Sequence, residues 1–344
     1  MSPLPRVDVF ALGGTIASSG DDGHGALVRL SGDDLLGRLP EAAAVADLNV
    51  RSVRMVASGD LTLVDLLQVH ELIETSVDSG VTGVVVTQGT DTLEEMAYGS
   101  ELLSSSAVPI VFTGAMRPTS APGSDGPANL LAAVRVAANE HARDLGTVVV
   151  FNDEIHASRH VRKGHTSSPA TFRSPLTGPL GYVIEDRVRI LLRPAGRLHV
   201  HVPAGAEAVR VAQLPVYFDG DTTLLRAVPG LGYGGLVVAA FGGGHVPSWL
   251  VPVLADVAER IPVVVASRTG CGEALQSTYA YPGSEVDLLR HGLISAVSLD
   301  AAHATVLLRL LLMAGVPRQD LGRCFEDASD PHGLVEVSVP QAAP

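Results

Sequence analysis

Short apolar runs rich in β-branched residues alternate along the chain with longer stretches in which apolar residues recur every three or four positions. The short runs are typical of buried strands and the longer ones of amphipathic helices, an alternation that indicates parallel α/β units. In the first half, the predicted strands are VDVFAL, VRSVRMVA, GVVVTQ, VPIVFTG and GTVVVFN. In the second half, they are VAQLPVYF, GGLVVAAFG, PVVVASRT and LISAVSL, and a helix is predicted through AAHATVLLRLLLMAG.

This pattern predicts a two-domain α/β protein, as a length of 344 residues also favours. Residues 1–194 are expected to form a larger N-terminal catalytic domain with a parallel, flavodoxin-like sheet. Its βα alternation lapses after about Glu154, where GYVIEDRVRILL predicts a hairpin. Residues 195–210 are interpreted as a linker, and residues 211–344 as a smaller C-terminal α/β domain.

Three hydroxyl residues precede predicted helices and have an acidic residue three positions later, the spacing of a capping box. The pairs are Ser31 with Asp34, Thr62 with Asp65, and Thr92 with Glu95. Glu94 and Glu95 are interpreted as first-turn charges that suit the helix dipole. The caps place strand ends at or near GGT, SGD, GTDT, GAMRP and DEIH. Ligands bind beyond the carboxyl ends of strands in such sheets, so these turns are the expected site.

Composition narrows the class of protein. A net charge of −13 argues against a nucleic-acid partner. Cys271 and Cys324 lack disulfide or metal-ligand spacing, which suits a reducing compartment. The 12 histidines show no metal-binding motif, and those of HVH and HASRH are expected on the surface. No apolar run has membrane-spanning length, and the N-terminus does not resemble an export signal, so a soluble, cytoplasmic protein without a metal is expected.

Three polar turns at predicted strand ends carry candidate chemistry. Thr15 follows two glycines, which can let backbone N–H groups approach an oxyanion. Ser58 begins the second turn, and Thr90 with Asp91 forms the third. A threonine hydroxyl is a weak nucleophile until a base removes its proton. Each turn also has a purely structural interpretation, since GGT is commonly only a turn and Ser58 is suited to capping a helix.

Lys163, in HVRKGHTSS, is the single lysine of the chain, and every other basic residue is arginine. Arginine stays protonated in proteins, whereas lysine can exchange a proton when its surroundings favour it. Lys163 is therefore a candidate base. The alternative is that a single lysine is a chance result of an arginine-rich composition.

Five features occur along the chain in a fixed order: GGTIA, TQGTDTLEE, FTGAMRP, DGPANL and a lysine before ATF. In this order they resemble the bacterial L-asparaginases of the asparaginase/glutaminase family. The resemblance extends from Val9 to about Leu312. The resemblance implies a hydrolase that releases ammonia from L-asparagine without a cofactor. Thr15 would attack the side-chain amide to form an acyl-enzyme, and Thr90, Asp91 and Lys163 would form the accompanying triad. The residues alone leave open which threonine carries the acyl group.

The resemblance also implies a substrate clamp and an assembly. Ser58 and Asp91 would hold the α-carboxylate and α-amino group, and Glu285 would reach in from a neighbouring subunit. The alternative interpretation of Glu285 is an acidic residue at the N-terminus of a helix, where it suits the helix dipole. Sites shared in this way imply a homo-oligomer, in this family usually a dimer of dimers.

Three positions depart from the family pattern. The loop after GGTIA lacks the family's lid tyrosine, and His24 is its nearest polar ring. Gly59 stands where many members have glutamine beside the clamp serine, which is expected to affect discrimination between asparagine and glutamine. His245 stands where an asparagine is common, and a histidine there would make contact with the amino group pH-dependent.

Alternatives stay open at this point. Within the family, the chain could act as a glutaminase or as the amide-hydrolysing subunit of a tRNA-dependent amidotransferase. A second class is an amino-acid sensor that kept the pocket and lost turnover with its lid tyrosine. A third, a nucleotide-binding oxidoreductase, rests only on the glycine turn FGGGH, which lacks the full dinucleotide-binding spacing.

Overall fold

The computed structural model describes residues 3–20, 27–37, 39–330 and 332–337. The chain divides into two compact units, Met1–Pro194 and Ala195–Pro344. No helix among the described residues is both long and apolar enough to span a membrane.

The first unit alternates strands and helices as its hydrophobic pattern predicts. Its described strands are β1 (Arg6–Gly13), β2 (Ser18–Ser19), β3 (Leu27–Val28), β4 (Asp47–Val56), β5 (Gly83–Thr87), β6 (Ile110–Thr113), β7 (Thr147–Phe151), β8 (Glu154–Ala157), β9 (Arg162–Lys163), β10 (Phe172–Arg173), β11 (Gly181–Ile184) and β12 (Arg187–Ile190). Its described helices are α1 (Gly32–Gly37), α2 (Pro40–Val45), α3 (Leu63–Asp78), α4 (Leu93–Leu103) and α5 (Gly126–Ala137).

Eight of these described strands form one mixed sheet in the order β12-β11-β8-β7-β6-β5-β1-β4. Strands β4, β1, β5, β6 and β7 are parallel neighbours, which is the flavodoxin-like order 2-1-3-4-5. The direction of the winding reverses between β1 and β5, so their carboxyl ends flank the switch point where such sheets bind ligands. Residues 14–15 and 88–90 follow those two ends.

The core of the first unit explains why these segments are strands. Strands β5 and β7 are buried along their whole length because helices cover both faces of a parallel sheet. Their valine-rich sequences fill this environment, as the continuous apolar runs GVVV and TVVVF predict. Leu130, Val134 and Ala137 of α5 pack in the same core cluster as Val85 and Val148.

The second unit is a smaller parallel α/β structure. Its described strands are β13 (Gly196–Val200), β14 (Val211–Pro215), β15 (Gly235–Ala240), β16 (Val263–Ser267), β17 (Ile294–Ser295) and β18 (Gly333–Val337), and its described helices are α6 (Thr223–Ala227), α7 (Val251–Arg260), α8 (Glu285–Arg290), α9 (Ala301–Met313) and α10 (Leu321–Ser329). Strands β14 to β17 form a parallel sheet in chain order. The stretch interpreted as a linker contains β13, which pairs in parallel with β18.

Two of the predicted helix caps have the expected geometry. Thr62 and Asp65 form a reciprocal capping box at the start of α3. Ser31 and Asp34 likewise exchange side-chain to backbone bonds before α1. These local motifs are therefore set by short-range sequence.

Candidate active site

Two glycine-containing loops touch at the switch point of the first unit. Gly14 has a φ of 79°, and a Cβ built on it would lie 2.0 Å from the backbone nitrogen of Gly89. Gly89 in turn lies against Ser58, since its own Cβ would come within 2.7 Å of the serine hydroxyl. Glycine is therefore required for the close approach of these loops. The contact brings the backbone preceding Thr15 against the backbone preceding Thr90.

The Gly14 amide has a structural partner. Its N–H donates to the carbonyl of Val56 at 3.0 Å, at the end of the neighbouring strand β4. This N–H is therefore not directed at an oxyanion. The role of Gly14 is to supply a left-handed backbone conformation and a close contact between loops. Thr15 follows it as the first residue of a 3-10 turn and is partly buried.

Lys163 lies within hydrogen-bond distance of Thr90 and Asp91. Its Nζ lies 2.9 Å from Oγ1 of Thr90 and 2.5 Å from Oδ1 of Asp91. Thr90 is buried, Lys163 is largely buried, and the Asp91 side chain is exposed. The three residues thus form a chain of polar groups that runs from a buried hydroxyl to an accessible carboxylate. Such a chain can hold or pass a proton beside the two threonine loops.

Ser58 is fixed beside this chain by its neighbours. It is buried at the start of a 3-10 turn, and its hydroxyl accepts a bond of 3.1 Å from the N–H of Asp91. The carbonyl of Ser58 accepts a bond of 2.9 Å from the hydroxyl of Thr92. The hydroxyl proton of Ser58 can be donated to an anion in the same area as the Asp91 carboxylate.

Thr92 corrects a sequence prediction. It precedes α4, but its side chain makes no capping bond to that helix. A 3-10 turn, Thr90–Thr92, precedes the helix and directs the Thr92 hydroxyl to the Ser58 carbonyl instead. The residue thus joins two site loops, a long-range contact that the capping-box spacing does not reveal.

Gly59 lies at an exposed position with open space beside it. A Cβ on this residue would have no heavy atom within 4 Å, and the residue is exposed. The position next to Ser58 therefore has room for a larger side chain. His24, the other departure near the first loop, lies outside the described residues.

Glu285 and His245 lie in the second unit and contact each other. Oε2 of Glu285 is 2.8 Å from Nε2 of His245, and Oε1 accepts bonds from the N–H groups of Thr278 and Tyr279. Desolvation by burial would raise the pKa of Glu285, but the bonds from the backbone of Tyr279 and Glu285, from His245 and from the backbone of Thr278 outweigh it and lower the pKa. The carboxylate is therefore held ionised and oriented.

Tyr281 extends this cluster, which sequence reasoning did not anticipate. Its hydroxyl lies 2.9 Å from Nδ1 of His245, and its ring packs edge-on against the imidazole. Tyr279 makes a second edge-on contact with the same imidazole. Both ring nitrogens of His245 are thus engaged, one by a carboxylate and one by a phenol.

His156, in HASRH, is buried, which makes the prediction of an exposed position wrong for this residue. It lies on β8, which has β7 and β11 on either side, and its side chain is 1% exposed. Its Nδ1 is 3.0 Å from the hydroxyl of Ser174. Burial lowers the pKa of His156 to about 4. The imidazole is therefore neutral at pH 7, and its 3.2 Å approach to Glu154 is not an ion pair there.

Glu94 is a site neighbour that sequence reasoning assigned only to the helix dipole. Its Oε2 accepts a hydrogen bond from the backbone N–H of Lys163. Its position two residues after the TDT motif could have suggested proximity to the site. No group of three or more histidine, cysteine or acidic residues is arranged to hold a metal ion within the described part of the chain.

Comparisons with known proteins give a consistent assignment. A family model described as Asparaginase, N-terminal, matches residues 6–195, and one described as Glutaminase/Asparaginase C-terminal domain matches residues 210–325. The chain is 32% identical to a probable periplasmic L-asparaginase of Haemophilus influenzae, covering 94% of this chain and 93% of that protein. It is 36% identical to a probable L-asparaginase of Deinococcus radiodurans, with 94% and 97% covered.

A solved structure agrees with these sequence relatives. The crystal structure of a probable cytoplasmic L-asparaginase from Campylobacter jejuni superposes with a TM-score of 0.87 at 30% identity. The match covers 94% of this chain and 99% of that one. With both domain models matched and relatives similar along nearly their whole length, the chain belongs to the L-asparaginase family.

Proposed function

We propose that this protein hydrolyses L-asparagine to L-aspartate and ammonia through a threonine acyl-enzyme. The observation that carries the proposal is the contact of Lys163 with Thr90 and Asp91, beside the loop that presents Thr15. The relatives named above bear the name probable L-asparaginase, and this name suggests the substrate.

In the first half of the reaction, the hydroxyl oxygen of Thr15 bonds to the carbon of the side-chain amide. The C–N bond then breaks, and the nitrogen leaves as ammonia after taking up the threonine proton. The product is an ester of Thr15. Gly14 and Gly89 support this step by fixing the loops on which the two threonines lie.

In the second half, water adds to the ester carbon and the bond to Thr15 breaks, which regenerates the hydroxyl and releases aspartate. Thr90 and Lys163 would handle the proton of the attacking water. With Nζ deprotonated, a proton leaving the Thr90 hydroxyl has an acceptor at 2.9 Å, and Asp91 then stabilises the ammonium at 2.5 Å. The lysine would return this proton through Thr90 to the Thr15 oxygen as the ester bond breaks, which resets both groups. Arginine cannot perform this exchange because it stays protonated.

Ser58 and Asp91 would bind the ends of the amino acid. The Ser58 hydroxyl can donate to the α-carboxylate, and the exposed Asp91 carboxylate can accept from the α-ammonium while it contacts Lys163. Charge-assisted bonds to both ends would select free amino acids over peptides.

Trapping with a reactive asparagine analogue and mapping of the labelled residue would test the assignment of the nucleophile. We expect the label on Thr15. A label on Thr90 would reverse the roles of the two threonines.

Gly59 is proposed to set selectivity and to permit minor glutaminase activity. Because Gly59 is exposed and a Cβ on it would meet no heavy atom within 4 Å, Gly59→Gln should fold normally. We expect it to change the ratio of ammonia release from asparagine and glutamine. An unchanged ratio would remove Gly59 from the selectivity argument.

Glu285 is proposed to complete the site of a neighbouring subunit in a homo-oligomer, as a dimer of dimers. Mixing and co-refolding of Lys163→Met and Glu285→Ala chains tests this. If each site takes Lys163 from one subunit and Glu285 from its neighbour, a mixed pair of chains has one site with both substitutions and one site with neither. Recovery of activity supports sharing, whereas mixtures no more active than either parent contradict it.

The compartment is proposed to be the cytoplasm. Cys271 is exposed and Cys324 is buried, and the two are not paired with each other, as suits a reducing compartment. Relatives carry both periplasmic and cytoplasmic names. Fractionation of the native host with an antibody to this protein would test the location, and a periplasmic signal would refute it.

A further inference from the structure

Lys163 is held at both ends by one short segment of the chain. Its Nζ contacts Thr90 and Asp91, while its backbone N–H donates to the carboxylate of Glu94. The three partners lie on the 3-10 turn and the first turn of α4, so the lysine bridges a segment of five residues.

The hairpin geometry explains why this N–H is available to Glu94. Lys163 on β9 pairs with Phe172 on β10, and the next residue, Gly164, donates its N–H to the carbonyl of Thr171 at 2.7 Å. Because hydrogen-bonded and non-hydrogen-bonded pairs alternate in an antiparallel ladder, the N–H of Lys163 points away from β10. It would lack a backbone partner in the hairpin, and Glu94 supplies the acceptor.

The hairpin itself is anchored by other contacts. Phe172 is buried, with its ring 4.8 Å from that of Phe151 at the end of β7. The hydroxyl of Ser174, just after β10, contacts His156 on β8. These contacts join β10 to the main sheet, so loss of the Glu94 carboxylate should leave the hairpin folded and affect mainly β9.

We infer that Glu94 is a positioning residue that fixes the main chain of Lys163 and so keeps its amine within reach of Thr90 and Asp91. The inference rests on the proposed role of Lys163 in proton transfer. A lysine side chain has a flexible four-carbon stem, so a fixed backbone limits the positions that its amine can take. Catalytic geometry is sensitive at this scale, since a displacement of about 1 Å can cost about 100-fold in rate.

The kinetic test uses ammonia release from L-asparagine by the full-length protein. Glu94→Ala should lower kcat by about 10- to 100-fold with KM within about threefold, because the substrate clamp is intact. Glu94→Gln keeps an acceptor oxygen without the charge and should retain most of kcat. Glu71→Ala, at an exposed position of α3, is the matched surface control and should behave like wild type.

The two variants separate positioning from charge. If Glu94→Gln is as impaired as Glu94→Ala, the charge of Glu94 matters and the positioning role is wrong. Wild-type kcat in Glu94→Ala would also overturn it. If Glu94→Ala does not share the wild-type unfolding midpoint, Glu94→Asp replaces it, since a side chain one methylene shorter should reduce kcat while keeping the charge.

The single lysine supplies a readout that does not depend on turnover. Labelling with lysine that carries ¹³C only at Cε gives one Cε methylene signal from the whole chain, that of Lys163. We expect this signal to move toward that of a solvent-exposed lysine in Glu94→Ala and to stay near the wild-type position in Glu94→Gln. An unchanged signal in Glu94→Ala refutes the inference. If wild type releases no ammonia from L-asparagine, the proposed function is refuted. The NMR result would then still test whether Glu94 positions Lys163.

Discussion

Burial of His156 should make the stability of this protein fall on mild acidification. The imidazole has an ordinary pKa of 6.5 and a folded-state pKa of about 4, because burial disfavours its charged form. Between these values, the unfolded chain binds a proton that the folded chain does not bind. The unfolded state is therefore stabilised as the pH falls from 6.5 toward 4, and the contribution is fully recovered above pH 6.5.

The size of the effect follows from the pKa difference. One pKa unit corresponds to about 1.4 kcal/mol, so a shift from 6.5 to about 4 corresponds to about 3 kcal/mol across this interval. His156→Asn is the matched perturbation, since an amide can approach Ser174 as Nδ1 does but does not titrate.

The assay is denaturant unfolding of both proteins at pH 7, 6 and 5, at one protein concentration because assembly shifts apparent stability. The free energy of unfolding of wild type should fall relative to His156→Asn by about 1 kcal/mol per pH unit below pH 6. Parallel pH dependences of the two proteins would refute the assignment of a buried, neutral His156.

Three further results are expected. Gly14→Ala should lower the unfolding midpoint and abolish ammonia release, because the residue has φ 79° and its Cβ would collide with the backbone of Gly89. Gly322→Ala on α10 is the control, since a Cβ there would meet no heavy atom within 4 Å outside its own helix backbone. An active, stable Gly14→Ala would contradict this packing. Thr62→Ala should cost about 1 kcal/mol of unfolding free energy in a denaturant titration, through loss of the capping box, and an unchanged midpoint would argue against it. Acetylation of the lysine amine, which removes its basicity, should inactivate the protein in step with modification of Lys163 seen by mass spectrometry, and activity that survives full acetylation would exclude a proton-transfer role.

Sequence predicts the sheet well because its signals are local. The valine-rich runs of β5 and β7 and the capping box at Thr62 each depend on residues within a few positions. The stretch after Pro194 carries a weaker local pattern. The short strand β13 is completed only by β18, more than a hundred residues later, and so lacks a local signal.

Sequence predicts the site less completely, and the difference again lies in distance along the chain. Thr90 with Asp91 is a local motif, and the singularity of Lys163 drew attention to it. The bond from Thr92 to Ser58 and the one from Lys163 to Glu94 join segments 34 and 69 residues apart. Family resemblance, not residue spacing, linked the lysine to the threonine motif beforehand.

The most direct test of proton transfer by Lys163 is ammonia release from L-asparagine by wild type and by Lys163→Arg, with the unfolding midpoint of each protein measured in parallel. We expect release by wild type and a loss of about 100-fold or more in the variant at an unchanged midpoint, because arginine keeps the charge but cannot exchange a proton. Near-wild-type turnover by Lys163→Arg would contradict the proton-transfer role. Tight asparagine binding without release by folded wild type would contradict the hydrolase and favour an amino-acid sensor.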